Sequence, residues 1–595
     1  MKLALRSSVL ASFFGLILIF LTASGCLVQR SAAPSVKIDD IILQAMARAG
    51  VPGLSLTILE KGRIESTRTF GVKNETLKDS VSERTVFEAC SLSKPVFAYA
   101  VLTLVAENKL ELDKPLISYA SEDDLEREFF RGQIADDRIH RITPRMVLSH
   151  RTGFPNWRGR EGLKLLADPG AKFGYSGEGF VFLQKVVEKI TGLSLNAFVK
   201  DRVFDPLGMV DSSYVWTADY DGRAASPHSL LGEPLTKLRP TRENAAASLH
   251  TTSRDYALFL IAVLRGPGLR DDLRRQMLTR QTALSSGVDW GLGVGLETAK
   301  GGESIWHWGD NGGFKCFFLV DHKHRSGFVY FSNGYFGLSL AEELSRRLAG
   351  PGHPALSSNV MDDYDSLNSP IFELVKAISN NDLDAGIRAA EKAGASGAAG
   401  KTIRESGLNS LGYALLNKKR TEEAIKVFEL NVRLYPKSAN VYDSLAEALE
   451  KRGDVEAAIR NYERSLALNP DNTNAVGRIM ALREKKQGPP NKYMKKPQEI
   501  VSAATGFGGG MGQKDLCGYV TGGVMAIGLF SGAAKGGDKA GRQKCQRLTK
   551  EYLEWWMKNA PLHCGEIKQP CDYKGMGEKA SEFLQKLFER ETKKG

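Results

Sequence analysis

A serine and a lysine three residues apart, Ser91 and Lys94, are the residues best suited to covalent chemistry in this sequence. They stand in the stretch Phe-Glu-Ala-Cys-Ser-Leu-Ser-Lys, at the start of a helix predicted from Pro95 to Asn108. Residues i and i+3 share one helix face, so the lysine amine is expected to reach the serine hydroxyl. Burial would lower the pKa of that amine and let it take the serine proton.

Three further motifs follow along the chain and support a catalytic role for this pair. They are Leu-Ser-His150-Arg-Thr-Gly-Phe-Pro, Tyr175-Ser176-Gly177 and His307-Trp308-Gly309. A tyrosine beside a cationic lysine is expected to hold its phenolic proton loosely enough to act as a base, whereas His150 is expected to tie a loop by hydrogen bonds. Neither a Gly-x-Ser-x-Gly elbow nor a His-Glu-x-x-His motif occurs, which argues against an α/β-hydrolase and a zincin.

Strands at both ends of one region would position these motifs. Residues 54–59 and 64–70 alternate as a hairpin about Lys61-Gly62, and strands are predicted again at 304–308, 314–320 and 327–332. With helices between them, the pattern predicts an α+β domain over residues 39–350. A run rich in glycine and proline then ends the domain.

As an ordered set, these motifs resemble the class C β-lactamase and penicillin-binding-protein-like serine hydrolases, which include D-alanyl-D-alanine peptidases and esterases. The resemblance covers residues 39–348 and implies an antiparallel sheet flanked by helices. It implies that Ser91 forms an acyl-enzyme while Lys94 and Tyr175 share the proton transfers. It further implies that His307 takes part in catalysis and lines the site from an edge strand.

The same resemblance implies an oxyanion hole made of the backbone N–H groups of Ser91 and Asp310, and a substrate cleft lined by Gly177, Trp308 and Gly309. Two positions depart from the family pattern. Gly177 replaces an asparagine that positions the substrate amide, and Trp308 replaces a small serine or threonine. We therefore expect an ester or amide hydrolase rather than a true β-lactamase, and keep a catalytically silent scaffold as the alternative.

A repeated pattern follows the first domain. A shift of 34 residues aligns Leu411 with Leu445, Ala424 with Ala458, Phe428 with Tyr462 and Pro436 with Pro470. This period resembles tetratricopeptide repeats, which implies an all-α region that docks a protein or peptide partner; a structural spacer stays open. We place the repeats at 370–485, between linkers at 351–369 and 486–500.

The C-terminal residues 501–595 combine clustered glycines with four cysteines, Cys517, Cys545, Cys564 and Cys571. They resemble a redox-active family named for its C_GCAxxG_C_C pattern, which implies a small, mainly helical domain. Its thiols are expected to bind a metal or to pair as disulfides. The hydrolase domain is expected to use no cofactor, because no nicotinamide, flavin or nucleotide motif is present.

The first 26 residues carry a targeting pattern. Lys2 and Arg6 precede an apolar run over 9–21, which ends in Ala-Ser-Gly-Cys26. This resembles a bacterial lipoprotein signal and implies lipidation of Cys26, a tether over 27–38 and a membrane-anchored location in the cell envelope, outside the cytoplasm. A small-molecule or peptidoglycan-like substrate would suit that location.

Composition excludes several other classes. The 595 residues are 42% hydrophobic and 25% charged, which is typical of folded proteins and excludes wholesale disorder or a polytopic membrane protein. The net charge of +12 is concentrated in the C-terminal region, without a nucleic-acid-binding signature. We therefore expect no nucleic-acid partner.

Overall fold

The structure, a computed structural model, describes most of the two larger regions and part of the C-terminal one. The described residues are 37–130, 136–159, 162–266, 268–299, 301–358, 360–361, 364–395, 403–486, 547–552, 554–555, 558 and 573–592. The targeting segment with Cys26 and the cysteines Cys517, Cys545, Cys564 and Cys571 lie outside these residues, so the predictions about them stay predictions. No helix within the described ranges is long and apolar enough to cross a membrane.

A nine-stranded antiparallel sheet forms the frame of the first domain, as predicted. Its order is β3-β2-β1-β11-β10-β9-β8-β7-β6, and β4 pairs with β5 in a separate short ribbon. The strands are β1 Gly53–Glu60, β2 Arg63–Asn74, β3 Asp79–Ser80, β4 Phe87–Glu88, β5 His250–Thr251, β6 Thr282–Ser285, β7 Val288–Trp290, β8 Gly295–Ala299, β9 Gly302–Asp310, β10 Lys315–Asp321 and β11 Ser326–Ser332.

The turn between β1 and β2 explains why these strands pair locally. Lys61 and Gly62 both have positive φ, 51° and 73°, which is the geometry of a two-residue turn that matches the twist of a hairpin. The predicted hairpin is confirmed, with Leu54 opposite Phe70.

Helices cover both faces of the sheet. They are α1 Ile38–Ala49, α2 Ser93–Ala106, α3 Glu122–Leu125, α4 Pro144–Leu148, α5 Gly177–Thr191, α6 Leu195–Val199, α7 Asp205–Leu207, α8 Tyr220–Arg223, α9 Ser253–Arg265, α10 Asp271–Met277 and α11 Ala341–Leu348. Helix α2 lies in the core and is buried continuously from Ser93 to Leu104. Residues of α1 and α11 pack on the opposite face of the sheet. The α+β prediction is therefore confirmed.

Short 3₁₀ and π turns join these elements. The 3₁₀ helices are Cys90–Leu92, Leu116–Ser118, Asp137–Arg141, Gly337–Leu340 and Pro354–Ser357, and the π-helical turns are Glu126–Phe130 and Lys200–Phe204. Two of the 3₁₀ helices, Cys90–Leu92 and Gly337–Leu340, reach the candidate site described below.

The repeat region is a stack of antiparallel helix pairs. Its helices are α12 Ile371–Ser379, α13 Leu383–Ala395, α14 Glu405–Asn417, α15 Thr421–Leu434, α16 Ala439–Arg452, α17 Val455–Leu468 and α18 Thr473–Lys486. Ala424 and Ala458 are fully buried, and a Cβ on Gly412 would lie 2.5 Å from the Phe428 ring. These small residues let paired helices approach closely, as the repeat pattern predicted.

The segment predicted as a linker at 351–369 is packed instead of free. Ala355 is fully buried, and Met361 is 2% exposed. The Phe336 and Phe372 rings meet edge to face at 5.0 Å across the junction with the repeats. One hydrophobic core therefore continues from the sheet into the first repeat helices. Glycine and proline predicted a boundary here because they mark breaks in helices and strands, which are not the same as breaks in packing.

The described part of the C-terminal region is helical, in agreement with the prediction. Helix α19 spans Tyr573–Thr592, and residues 547–552 are also helical. The Trp555 and Phe583 rings stack at 4.7 Å.

Candidate active site

Ser91 and Lys94 meet as their spacing predicts. The 3₁₀ turn Cys90–Leu92 leads directly into α2, and this places Lys94 Nζ 3.0 Å from Ser91 Oγ. Lys94 Nζ also donates to the Ala246 carbonyl at 2.8 Å. The Lys94 side chain is fully buried, and burial lowers the pKa of its amine from 10.5 to about 7. A large share of this amine is therefore uncharged at neutral pH and able to accept a proton.

Backbone strain lies immediately before the nucleophile. Cys90 is fully buried and has φ of 50°, a conformation that costs a residue with a side chain about 1 kcal/mol or more. Such a residue persists only where its surroundings hold it. Here β9 supplies part of that hold, because a Cβ on Gly309 would lie 2.8 Å from Cys90 Cβ and 2.4 Å from Cys316 Sγ.

The sequence predicted that Gly309 lines the cleft. In the structure it does not. Its missing side chain would point at the turn that carries Ser91, where a Cβ would lie 2.9 Å from the Ala89 carbonyl. Glycine at this position lets the strand approach the nucleophile turn, which is a packing role.

His150 forms hydrogen bonds with the residues before and after Tyr175 and so holds that loop. The Ser176 N–H donates to His150 Nδ1 at 3.1 Å, and the Gly174 N–H donates to the His150 carbonyl at 2.8 Å. The two rings pack with centroids 4.3 Å apart. His150 itself is buried, and burial lowers its pKa well below 6.5. It is thus a neutral positioning residue, in agreement with its predicted structural role.

Tyr175 presents a phenol above the lysine. Lys94 Nζ lies 4.8 Å from the centroid of its ring. Tyr175 Oη is buried and forms no hydrogen bond of good geometry with a described residue, although the Ser91 hydroxyl is near enough to favour its ionisation. Burial outweighs that effect and raises the pKa of the phenol. The expectation of a loosely held phenolic proton is therefore wrong: Tyr175 stays protonated at neutral pH.

His307 occupies a buried place behind the cavity. Its Nδ1–H donates to the Trp308 carbonyl at 2.6 Å, and its ring packs 5.2 Å from the Trp308 ring. Burial lowers the pKa of His307 to about 3, so the imidazole is neutral. His307 is not among the described residues that line the cavity over Ser91, but its ring lies 6.2 Å from the Tyr175 ring, so it packs directly behind the site.

Strand β9 is also not an edge strand, because β8, β7 and β6 extend the sheet beyond it. However, β8 pairs only with residues 302–306 of β9. Among the described strands, the last four residues of β9 therefore have a neighbour on one side only, β10. The turn that carries Ser91 packs against this end of β9, and the site forms there.

A cavity of about 640 Å³ opens over Ser91. Its polar end contains Ser91, Asn156, Tyr175 and Asp310, and the Trp308 ring forms part of its wall. The rest of the lining is apolar and comes from Phe173, Ala283, Leu284, Leu338, Val360 and Met361. Trp308 and Asp310 thus lie where the sequence predicted, and the volume suits a small organic substrate.

Gly177 does not line this cavity, contrary to prediction. The Trp157 ring covers it, so that a Cβ on Gly177 would lie 2.6 Å from that ring. Asn156 lines the cavity instead, and its Oδ1 accepts from the Gly177 N–H at 3.0 Å. A side-chain amide is therefore present close to the position where the family motif would place one, but it comes from the preceding loop.

Asp310 is part of a charged pair at the edge of the site. Its carboxylate accepts from Lys315 Nζ and from the Gly312 N–H at 2.7 Å. Lys315 is 6% exposed and lines a separate cavity of about 80 Å³ beside the repeats. Asp310 is among the residues that line the Ser91 cavity, whereas Lys315 is not.

The apolar lining was not predicted from the sequence. Leu284 is half-buried on β6 and Leu338 is 4% exposed, and hydrophobic spacing does not indicate which cavity either residue faces. Asn156 carried a usable signal, since it directly follows Phe-Pro at the end of the His150 motif. A polar side chain after an X-Pro turn often marks an exposed loop beside a site.

Comparison with known proteins identifies each region. The family model "Beta-lactamase" matches residues 38–350, two tetratricopeptide repeat models match 406–438 and 439–472, and "Putative redox-active protein (C_GCAxxG_C_C)" matches 489–589. Three regions thus follow one another in the predicted order.

Individual relatives are distant. "Putative beta-lactamase-like 1" of Homo sapiens is 28% identical over 266 residues, 41% of this chain and 52% of its own length. Esterase EstB of Burkholderia gladioli is 26% identical over 321 residues, 44% of this chain and 79% of its own length. The octameric penicillin-binding protein homologue from Pyrococcus abyssi matches with a TM-score of 0.44 and 21% identity, covering 52% of this chain and 78% of that one.

The alignment thus covers about half the length of the first of these curated relatives. The "Beta-lactamase" model, in contrast, covers more than half of the 595 residues and includes Ser91, Lys94, Tyr175 and the whole of β9. On this match, joined to the antiparallel sheet and the serine–lysine pair at its centre, the chain belongs to the β-lactamase family.

Proposed function

We propose that this chain is a serine hydrolase that cleaves an ester through an acyl-enzyme on Ser91. The observation that carries the proposal is the pair itself: Lys94 Nζ lies 3.0 Å from Ser91 Oγ, in a buried place where the pKa of the amine falls to about 7. A structural lysine would keep its charge and an ion-pair partner. A fully buried lysine aimed at a hydroxyl is the arrangement that activates a nucleophile.

In the first half-reaction, uncharged Lys94 takes the proton of Ser91 Oγ while Oγ bonds to the ester carbonyl carbon. The backbone N–H groups of Ser91 and Asp310 would stabilise the resulting oxyanion. The bond from carbon to the alcohol oxygen then breaks, and the proton passes to that oxygen. Tyr175, which stays protonated, is suited to relay this proton with its O–H and is not the resting base.

In the second half-reaction, water attacks the acyl carbon and transfers a proton to Lys94. The bond to Ser91 Oγ breaks, the proton returns to that oxygen, and a carboxylic acid leaves. His307 stays neutral near neutral pH and is too weak a base to take the serine proton, because its pKa is about 3. We assign it a positioning role beneath Trp308.

The test is intact-protein mass spectrometry of the full chain after exposure to a fluorophosphonate. We expect one covalent adduct that is absent in Ser91→Ala, and an adduct formed at least about a hundredfold more slowly in Lys94→Met. Ser118→Ala, which changes an exposed serine of the same domain, is the matched control and should keep the adduct. No adduct in the wild type would sink the hydrolase and favour a silent scaffold that acts through its repeats.

We further propose an envelope location, a peptide or protein partner for the repeats, and metal-bound or disulfide-paired C-terminal thiols. The pattern ending in Cys26 supports the location, and the two family matches support the other roles. Labelling of spheroplasts with a fluorophosphonate that does not cross the inner membrane tests the location. Mass spectra recorded with and without reduction before alkylation count the free thiols.

A further inference from the structure

We infer that Val360 and Met361 form the wall that binds the acyl group of the substrate, and that this group is apolar and uncharged. Both residues lie beyond the β-lactamase family match, which ends at residue 350. They belong to the segment that joins the hydrolase domain to the repeats, hereafter the connector (351–369). The inference rests on the proposed hydrolase function of Ser91.

The first argument is position. Met361 is 2% exposed and Leu338, its neighbour in the cavity wall, is 4% exposed. Together with Val360 and Leu284 they line the same cavity as Ser91. The nucleophile therefore shares one space with an apolar surface assembled from β6, a 3₁₀ turn and the connector.

The second argument is that the connector is held in place. The buried carboxylate of Glu297, on β8, accepts from His353 Nδ1 at 2.6 Å and from the Ala355 N–H at 3.1 Å. Ser358 Oγ then donates to the Ala355 carbonyl at 2.7 Å, and the Met361 N–H donates to the Ser358 carbonyl at 2.9 Å. A chain of hydrogen bonds thus runs from the sheet to the Met361 backbone and anchors this part of the connector beside the cavity.

The third argument is charge. Asp310 is the one charged side chain among the described residues that line the cavity. The Asp310 carboxylate is paired with Lys315 Nζ, and no lysine or arginine is among the described residues that line the cavity. A buried substrate carboxylate there would lose its hydration without gaining a cationic partner. Carboxylates of β-lactams and of peptide C-termini are therefore disfavoured, and uncharged esters are favoured.

Of the two parts of an ester, only the acyl group can contact this wall in both half-reactions. The alcohol leaves after the first half-reaction, whereas the acyl group stays on Ser91 Oγ until water releases it. Apolar contact with Met361 and Val360 would therefore stabilise the transition states of both half-reactions.

The experiment measures kcat/KM of the full chain on p-nitrophenyl acetate, butyrate and octanoate, with fluorophosphonate labelling of Ser91 in the same preparations. We expect kcat/KM to rise up to about fourfold for each added methylene until the wall is filled. We expect p-nitrophenyl hemisuccinate to react at least about tenfold more slowly than the butyrate ester.

Two variants test the wall directly. In Met361→Ala and in Val360→Ala the ratio of octanoate to acetate activity should fall by about fivefold to tenfold. Met361→Leu should keep most of the ratio, because it conserves apolar volume. Met480→Ala, at an exposed methionine of α18, is the matched control and should leave the ratio unchanged.

The outcomes separate the two proposals. An unchanged ratio in both alanine variants, with Ser91 still labelled, overturns the acyl wall and leaves the hydrolase standing. A preference that follows the length of the alcohol in a series of alkyl acetates overturns it as well. If the wild type neither labels nor hydrolyses any ester, the proposed function falls and the acyl wall falls with it.

Discussion

Lys94 is the residue whose chemistry depends most on its surroundings. An exposed lysine is protonated up to about pH 10.4, yet here burial brings the pKa to about 7. Because the folded pKa lies below the unfolded one, the unfolded chain binds the extra proton between these values. Burial of Lys94 therefore destabilises the fold, and this penalty is relieved as pH rises from about 7 towards 10.5.

The same shift predicts the pH dependence of acylation. The rate constant for Ser91 labelling by a fluorophosphonate should rise tenfold per pH unit below about pH 7 and level off above it, as the amine loses its proton. Tyr175 should add no falling limb up to about pH 9, because its pKa is raised. The measurement is a labelling rate profile between about pH 5 and 9.

Lys94→Arg is the informative variant for this profile, since arginine does not lose its proton at these pH values. It should abolish the rising limb and slow labelling by at least about a hundredfold. Lys61→Arg, at an exposed turn position, should leave the profile as it is. A flat profile for the wild type would show that the amine is not the base.

At the scale of elements, the site depends on where strands stop. β9 continues four residues past its partner β8, and this leaves space for the Ser91 turn and for the cavity. On the other side of β8, Glu297 holds the connector. One strand end thus makes room for the nucleophile, while the neighbouring strand fixes the apolar wall.

Glu297 should therefore act as a positioning residue for selectivity. In Glu297→Gln the side chain keeps its shape, but only one atom can accept a hydrogen bond from His353 or the Ala355 N–H. We expect the octanoate-to-acetate ratio to fall by about threefold or more, with acetate activity nearly unchanged.

Glu303→Gln, on the neighbouring strand β9 and largely exposed, is the matched control and should have no effect. A purely structural role for Glu297 makes a different prediction. In that case the variant would melt at a lower temperature, but its ratio of octanoate to acetate activity would equal that of the wild type.

The elements also show what sequence patterns can predict. The β1–β2 hairpin and strands β9–β11 were predicted because alternation and turn residues are local signals. Strands β6 and β7 are only four and three residues long and carry little periodicity, so the sequence does not show that they extend the sheet beyond β9. The roles of Ser91 and Lys94 followed from spacing, whereas Val360 and Met361 reach the cavity through tertiary packing that spacing does not encode.

At the scale of the whole molecule, the hydrolase and repeat regions share one core. The Phe336–Phe372 contact crosses the junction, and Lys418, which caps the C-terminus of α14, forms an ion pair with Glu233 of the hydrolase domain. Arg404 and Asp365 pair at the same junction. The first repeat helices are thus packed against the hydrolase domain rather than tethered to it.

This packing predicts coupled unfolding. Phe372 is 6% exposed, and Phe372→Ala should destabilise the junction by about 3 kcal/mol. We expect loss of Ser91 labelling and loss of helical circular dichroism from the repeats to shift to lower temperature together. Met480→Ala, at the far end of the repeats, should shift neither by more than about 1 °C. Separate shifts, with labelling unaffected, would show that the regions unfold independently.

The connector joins two binding sites, the cavity over Ser91 and the repeats, so an effect of one site on the other must be mutual. It touches the acyl cavity through Met361 and leads directly into the helices that are expected to receive a peptide. If a bound peptide changes the affinity of the cavity for an acyl group by some factor, thermodynamic linkage requires the acyl group to change peptide affinity by the same factor. A slowly hydrolysed acyl chain on Ser91 would then change the affinity of the repeats for the peptide. The acyl-enzyme itself would thereby act as a signal.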